Sequence, residues 1–171
     1  MTAVASLKIL AFRNLQEQTV DLDPGVNLIL GQNGQGKTAL LECVSVLADL
    51  RSFRTADLGS LLQHGASHLG VRAICGLSTL DFRLSRDHMA RLKRSARHGD
   101  KLVRSTAEWF RKKTKAYEGT PCGFQVVTFH PGDMEWIVGG PQTRRNYLDR
   151  LVAVQDPNYL INLLNYNASL Q

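Results

Sequence analysis

Residues 26–48 read VNLILGQNGQGKTALLECVSVLA. A mostly apolar run, residues 26–30, stops at a glycine-rich loop, and apolar residues then recur at helical spacing. The pattern predicts a buried strand, a loop and a helix. The octet Gly31-Gln32-Asn33-Gly34-Gln35-Gly36-Lys37-Thr38 fits G-x-x-x-x-G-K-[ST] in full, in the strand-before, helix-after context that the phosphate-binding P-loop requires. Glycines here can take positive φ and leave no Cβ in the way. Successive N–H groups can then turn inward as a nest around phosphate oxygens. The helix start adds unpaired N–H groups and the positive end of its dipole. Lys37 would reach the β- and γ-phosphates, and the Thr38 hydroxyl would ligate Mg²⁺. The plainer alternative is a glycine turn between strand and helix. The complete motif in its proper setting favours a nucleotide.

The 171 residues suffice for one domain with a real core. The content of 43% hydrophobic and 21% charged residues is that of a globular protein in water. No apolar run nears the roughly 18 residues of a membrane span, and no charged segment followed by an apolar one marks a secretory leader. Cys43, Cys75 and Cys122 are odd in number and widely spaced. They suggest neither a disulfide framework nor a metal pattern, and fit a reducing cytoplasm. The net charge is +6, with twelve Lys or Arg in residues 83–115 against Asp87, Asp100 and Glu108. The remainder of the chain is slightly acidic, so the whole excess sits in one segment. Charge concentrated in this way points to a polyanionic partner. Arg91, Lys93, Arg94, Arg97, Lys101, Arg104, Arg111, Lys112 and Lys113 are the candidate phosphate contacts, against the alternative of a solvated face.

Taken in order, residues 6–12 predict a strand, Arg13-Asn14 a turn, residues 19–22 a short strand, and Asp23-Pro24-Gly25 a second turn. Arg13-Asn14 would either fold over a nucleotide or remain a solvated turn. The helix is expected over residues 38–50, with Leu40, Leu41, Val44, Leu47 and Ala48 as its apolar face. Arg51-Ser52-Phe53-Arg54-Thr55 would hold a phosphate or the base, or simply end the helix with favourable cations. Residues 58–64 read as a short helix, 69–75 and 79–84 as two strands, and 90–96 with 101–103 as a hairpin. His64 and His68 have the spacing of a helical ligand pair, but Gly65 argues against a helix between them. Ser105 with Glu108 makes a capping box for a helix over 106–115 in which Trp109 and Phe110 face the core. Residues 125–129 read as an apolar strand, 134–138 as a helical turn, and 144–155 as an amphipathic helix. Asp156-Pro157 opens a last helix, with Pro at its first helical position.

Several of these segments together resemble the RecF family of bacterial DNA replication and repair proteins. They are Leu7-x-Ile9-x-x-Phe12-Arg13-Asn14, the P-loop with Leu41-Glu42, Arg51 to Thr55, Phe129-x-Pro131-x-Asp133, Gly140-Pro141-x-x-Arg144-Arg145-x-x-Leu148-Asp149, and Asp156-Pro157-x-Tyr159-Leu160. The resemblance spans nearly the whole chain. It implies an α/β P-loop NTPase of the ABC and SMC head type, incomplete here. A mixed sheet with the P-loop helix would occupy residues 1–128, and a helical lobe would begin in 129–171, cut short. It further implies ATP with Mg²⁺ on residues 31–38, Arg13 and Asn14 near the nucleotide, and an ATP-dependent homodimer. The implied partners are DNA at single-strand gaps and junctions, together with RecO and RecR in loading RecA, with a part in the SOS response. His130 and Gly132 stand where Ser or Thr and Glu are expected.

Members of that family run about twice as far, with the Walker B strand, signature and D-loop beyond residue 171. Phosphoryl transfer needs a second acidic group on the metal and a residue that positions water. If the chain were whole, weak nucleotide binding without meaningful hydrolysis would be expected. Two other readings compete. One is a small P-loop nucleotide kinase with a basic lid. The other is a DNA-binding remnant that does not hydrolyse ATP.

Overall fold

A computed structural model describes residues 3–106, 108–109 and 126–169. Phe110, residues 111–115 and Cys122 lie outside the described residues. Six strands form one sheet in the order β2-β1-β3-β4-β5-β6, and every described pairing is antiparallel. They are β1 Val4–Leu10, β2 Gln18–Asp21, β3 His68–Cys75, β4 Ser78–Arg86, β5 Leu92–His98 and β6 Lys101–Val103. Gly76-Leu77 closes the β3–β4 hairpin, with Cys75 opposite Ser78. Gly99, at φ 56°, turns β5 into β6.

Strand alternation divides the sheet by chemistry. Leu7 and Ile9, Leu69, Val71 and Ala73, Leu80, Phe82 and Leu84, and Ala96 are buried on one side. Helix α1, Lys37–Asp49, packs there against β3 and β4. Its buried face is Ala39, Glu42, Cys43, Val46 and Leu47, whereas Leu41 is 54% exposed and Leu40 and Val44 are only partly buried. Leu47 and Ala48 are buried as expected, while Leu41 faces solvent and Leu40 and Val44 stand at the edge, so the buried face is shifted toward Ala39, Glu42, Cys43 and Val46. Small Ala39 and Cys43 let the helix approach the sheet closely, and Glu42 goes inside with its partners.

Trp109 is fully buried and donates its indole N–H to the Ala48 carbonyl at 3.0 Å, which ties the segment after β6 to the end of α1. Ser105 caps that segment. Its Oγ accepts from the Glu108 N–H at 3.1 Å, while the Glu108 carboxylate accepts from the Arg104 N–H at 2.8 Å. Ser105→Ala should cost about 1 kcal/mol, read as a lower urea midpoint at unchanged slope; an unmoved midpoint would show that the cap carries no stability.

The C-terminal part is helical. After a 3-10 turn, Pro131–Met134, come α2 Glu135–Val138, α3 Pro141–Gln155 and α4 Pro157–Ser169. Trp136 stacks on Tyr147 at 4.2 Å, and the Tyr159 hydroxyl donates to Asp149 at 2.6 Å.

Two expected strands are absent. Residues 26–30 form no ladder among the described residues, and Val26, Leu28 and Leu30 are 94%, 78% and 79% exposed. Residues 126–129 likewise form none, with Val127 and Phe129 exposed. An apolar strand buried on both faces needs neighbouring strands to pair with, and no described segment supplies them. Residues 58–64 shorten to a 3-10 turn, Leu58–Leu61. His64 falls in a turn and His68 on β3, so the two do not share a helix face. Among the described residues, no group of three His, Cys, Asp or Glu is placed to hold a metal, and no helix is long and apolar enough to cross a membrane. Cys43 and Cys75 are buried.

Candidate functional site

The glycine loop meets α1 at Gly36, which is the N-cap at φ 95°. Among the described residues no side chain caps this helix, so its first-turn N–H groups open into the cleft beside the loop. A Cβ at Gly36 would stand 2.4 Å from the Leu15 side chain, and the backbone conformation is one that L side chains rarely adopt. Gly36→Ala should therefore deform the loop and cost about 2 kcal/mol, with a lower melting temperature and a matching loss of nucleotide affinity. Retention of both would show that the loop tolerates the side chain.

Lys37 curls back along the loop, and its Nζ donates to the carbonyls of Gly31 at 2.8 Å and Gln32 at 2.7 Å. The Gln35 side chain accepts from the Gln32 N–H at 2.9 Å. The Asn14 amide donates to the Gly34 carbonyl at 2.6 Å. The Arg13-Asn14 turn thus lies against the loop. Arg13, Asn14, Asn33, Gly34, Gly36, Lys37, Thr38, Ala39 and Arg54 line one cleft of about 410 Å³, within the ordinary size of a small-molecule site.

Behind the cleft lies Glu42, a fully buried carboxylate. Arg13 grips it with Nε and Nη2, each at 2.7 Å. Ser52 Oγ donates to it as well, and Arg54 stands 3.6 Å away. Burial would raise the Glu42 pKa, but the hydrogen bonds from Arg13 and Ser52 and the charges of Arg13 and Arg54 outweigh it and hold the group below its ordinary value. Arg13 sits at φ 55°, a rare conformation for a side chain of its size. The paired carboxylate and the Arg13 N–H bond to the Leu61 carbonyl at 2.7 Å hold it there.

Both expectations for Arg51-Ser52-Phe53-Arg54-Thr55 are thereby refined. Ser52 bonds Glu42, Arg54 borders the cleft, and Phe53 turns away to stack on His130 at 5.1 Å. His130 and Gly132 are a matched pair. His130 Nδ1 accepts from the Gly132 N–H at 2.9 Å, and a Cβ at Gly132 would meet that ring at 2.7 Å. A side chain at the second position would require the His130 ring to move off that N–H.

Of the basic candidates, Lys93 and Arg97 lie on the sheet face away from α1. Arg94 reaches Thr106 Oγ1 on the other side, at 3.4 Å. Arg91 closes a turn onto Asp87, and its N–H donates to Oδ1 at 2.9 Å. Lys101 begins β6, and Arg104 follows it. The six described candidates do not form one cluster, and Arg111, Lys112 and Lys113 fall outside the described residues.

The AAA domain family matches residues 6–124. The chain belongs to that family. Within it, the homologues are RecF proteins. The "DNA replication and repair protein RecF" of Caldanaerobacter subterraneus subsp. tengcongensis is 35% identical over 93% of this chain and 41% of its own length. That of Moorella thermoacetica is 33% identical over 98% and 42%. The chain thus spans about two fifths of the length of these curated relatives. The solved recombination mediator protein RecF-ATP of the RecFOR pathway superposes with a TM-score of 0.82 at 30% identity, over 99% of this chain and 43% of that one. An SMC ATPase, solved in work on ATP-driven dimerization and DNA stimulated activation, superposes at 0.58 and 17% identity over 86% of this chain. At that identity the match speaks for the fold alone. The fold is the AAA-type P-loop NTPase fold of RecF and SMC heads, in partial coverage.

Proposed function

We propose that this chain is the nucleotide-cradling part of a RecF-type protein of DNA replication and repair, and that it binds ATP with Mg²⁺ on residues 31–38. The carrying observation is the uncapped start of α1 at Gly36, which opens with Lys37 and Thr38 into one cleft. The donors suit a polyphosphate. Lys37 exchanges its two loop carbonyls for β- and γ-phosphate oxygens, and the helix N-terminus takes a further oxygen. Thr38 is the residue that would ligate Mg²⁺, which supplies charge neutralisation on the phosphates. Asn14 buttresses the loop through Gly34. Arg13 acts through Glu42 rather than by first contact.

In the same reading, residues 1–128 are part of an ATPase lobe, 129–171 begin a helical lobe, and the basic segment 83–115 contacts DNA. The family resemblance supports recombinational repair at single-strand gaps. In that role the protein would be cytoplasmic, homodimeric with ATP, and would act with RecO and RecR to load RecA in the SOS response. A fluorescent ATP analogue titrated with and without Mg²⁺ tests the cradle. Saturable binding that EDTA weakens is expected; no binding, or binding indifferent to Mg²⁺, would sink the assignment. ADP formation accelerated by an added nucleoside monophosphate would make the chain a kinase instead.

A further inference from the structure

Strand register exposes a surface that no linear segment shows. On the sheet face away from α1, Arg72 of β3, Arg83 of β4, and Lys93 and Arg97 of β5 point to the same side, with Asp81 among them. Arg72 lies opposite Asp81, and Asp81 lies opposite Arg97. Asp81 takes Arg72 Nε at 2.7 Å and Arg83 Nε at 3.0 Å. The side chains of Arg72, Arg83 and Lys93 are exposed by half or more. Asp87 stands 3.7 Å from Lys93 at the margin. Toward β2 the balance reverses, because Lys8 pairs with Glu17 at 3.4 Å and Asp21 shares that face. The positive surplus therefore covers β3 to β5, a patch about 10 Å across the strands and about 13 Å along them.

We propose that this patch docks the sugar–phosphate backbone of duplex nucleic acid, independently of sequence. The inference rests on the DNA-binding reading above and deepens it by naming the surface and the form of the ligand. Four exposed cations on a rigid sheet suit phosphate contacts, which position without reading bases. Single strands are held by aromatic side chains on which bases stack. This face carries no Phe, Tyr or Trp among its described residues. Asp81 limits affinity, because its single negative charge is shared by two of the four cations.

Fluorescence anisotropy with a short mixed-sequence duplex and its single strand, between about 50 and 200 mM salt, tests the proposal. Lys93→Ala with Arg97→Ala should weaken duplex binding at least about tenfold and reduce the log–log salt slope by about two. Asp81→Asn should tighten duplex binding a few-fold, a gain that loss of fold cannot imitate. Arg145→Ala, on α3 outside the basic segment and bonded to Gln142 of its own helix, should change little. The proposal is overturned if the Lys93 and Arg97 double variant binds as the unaltered chain does. Equal loss in the Arg145 variant, no gain from Asp81→Asn, or equally tight single-strand binding would also overturn it. An unaltered chain that binds no DNA overturns the DNA-binding reading as a whole. ATP-analogue binding, followed on the same samples, keeps loss of fold distinct from loss of the surface.

Discussion

Lys37→Ala should lower ATP affinity at least about a hundredfold and leave thermal stability nearly unmoved. The Nζ is the charged donor of the loop, and in the structure it donates to the Gly31 and Gln32 carbonyls. Both contacts are exposed, so their loss costs the fold little. With phosphate bound, the same ammonium makes charge-assisted hydrogen bonds worth about 3 kcal/mol together. Every 1.4 kcal/mol is a factor of ten in affinity. Calorimetric titration with ATP and a melting curve on the same protein read the two effects separately. Unchanged affinity would remove the cradle from the proposed function, and a large drop in melting temperature would show that Lys37 braces the loop.

Glu42→Ala should have the opposite signature. Removing the buried carboxylate strips Arg13 and Ser52 of their acceptor and Arg54 of its counter-charge. The expected cost is about 3 kcal/mol, the lower end for a broken buried pair, because both arginines reach solvent. Glu42→Gln, which keeps one acceptor oxygen, should cost less than Glu42→Ala. The pH dependence follows from the sign of the shift. The folded pKa of Glu42 lies below the ordinary value of 4.5, so its stabilisation is complete above that value and is lost as pH falls through the folded pKa. Urea midpoints below pH 4.5 should therefore fall more steeply for the unaltered chain than for Glu42→Gln. Parallel curves would mean that Glu42 does not titrate with folding.

The two variants divide the cleft between binding and support. Lys37 stands where a ligand would be and contributes little to the fold. Glu42 never meets a ligand, yet it fixes Arg13, Ser52 and Arg54 around the opening. The contact of Phe53 with His130 carries the same segment on to the start of the C-terminal helices.

Some of this was legible from one dimension. The P-loop octet is a local backbone device whose glycines and lysine act within eight consecutive positions, so spacing alone located it. The β3–β4 and β5–β6 hairpins and the Ser105 cap were legible for the same reason: alternation, a two-residue turn and a capping box are local chemistry. Sequence read residues 26–30 as buried from their composition, but burial of a strand is conferred by neighbours, and none pairs with it among the described residues. It read Glu42 only within a family pattern. Nothing local shows that a residue twenty-nine positions earlier and another ten positions later will meet it.

The basic residues show the division most plainly. Composition established that the charge excess lies in residues 83–115 and implied a polyanion. It could not say which cations share a surface. The alternations Val71-Arg72-Ala73 and Phe82-Arg83-Leu84 held a usable signal, since an exposed arginine between buried neighbours must leave the core on the far side of the sheet. Only the register joins Arg72 to Arg97 across Asp81 and sends Arg94 to the other side. The sequence by itself located the P-loop octet and the sign of the charge, because both depend on residue type at fixed spacing. The tertiary structure decided which charges act together and which carboxylate supports the cradle, because both depend on strand pairing between residues far apart in the chain.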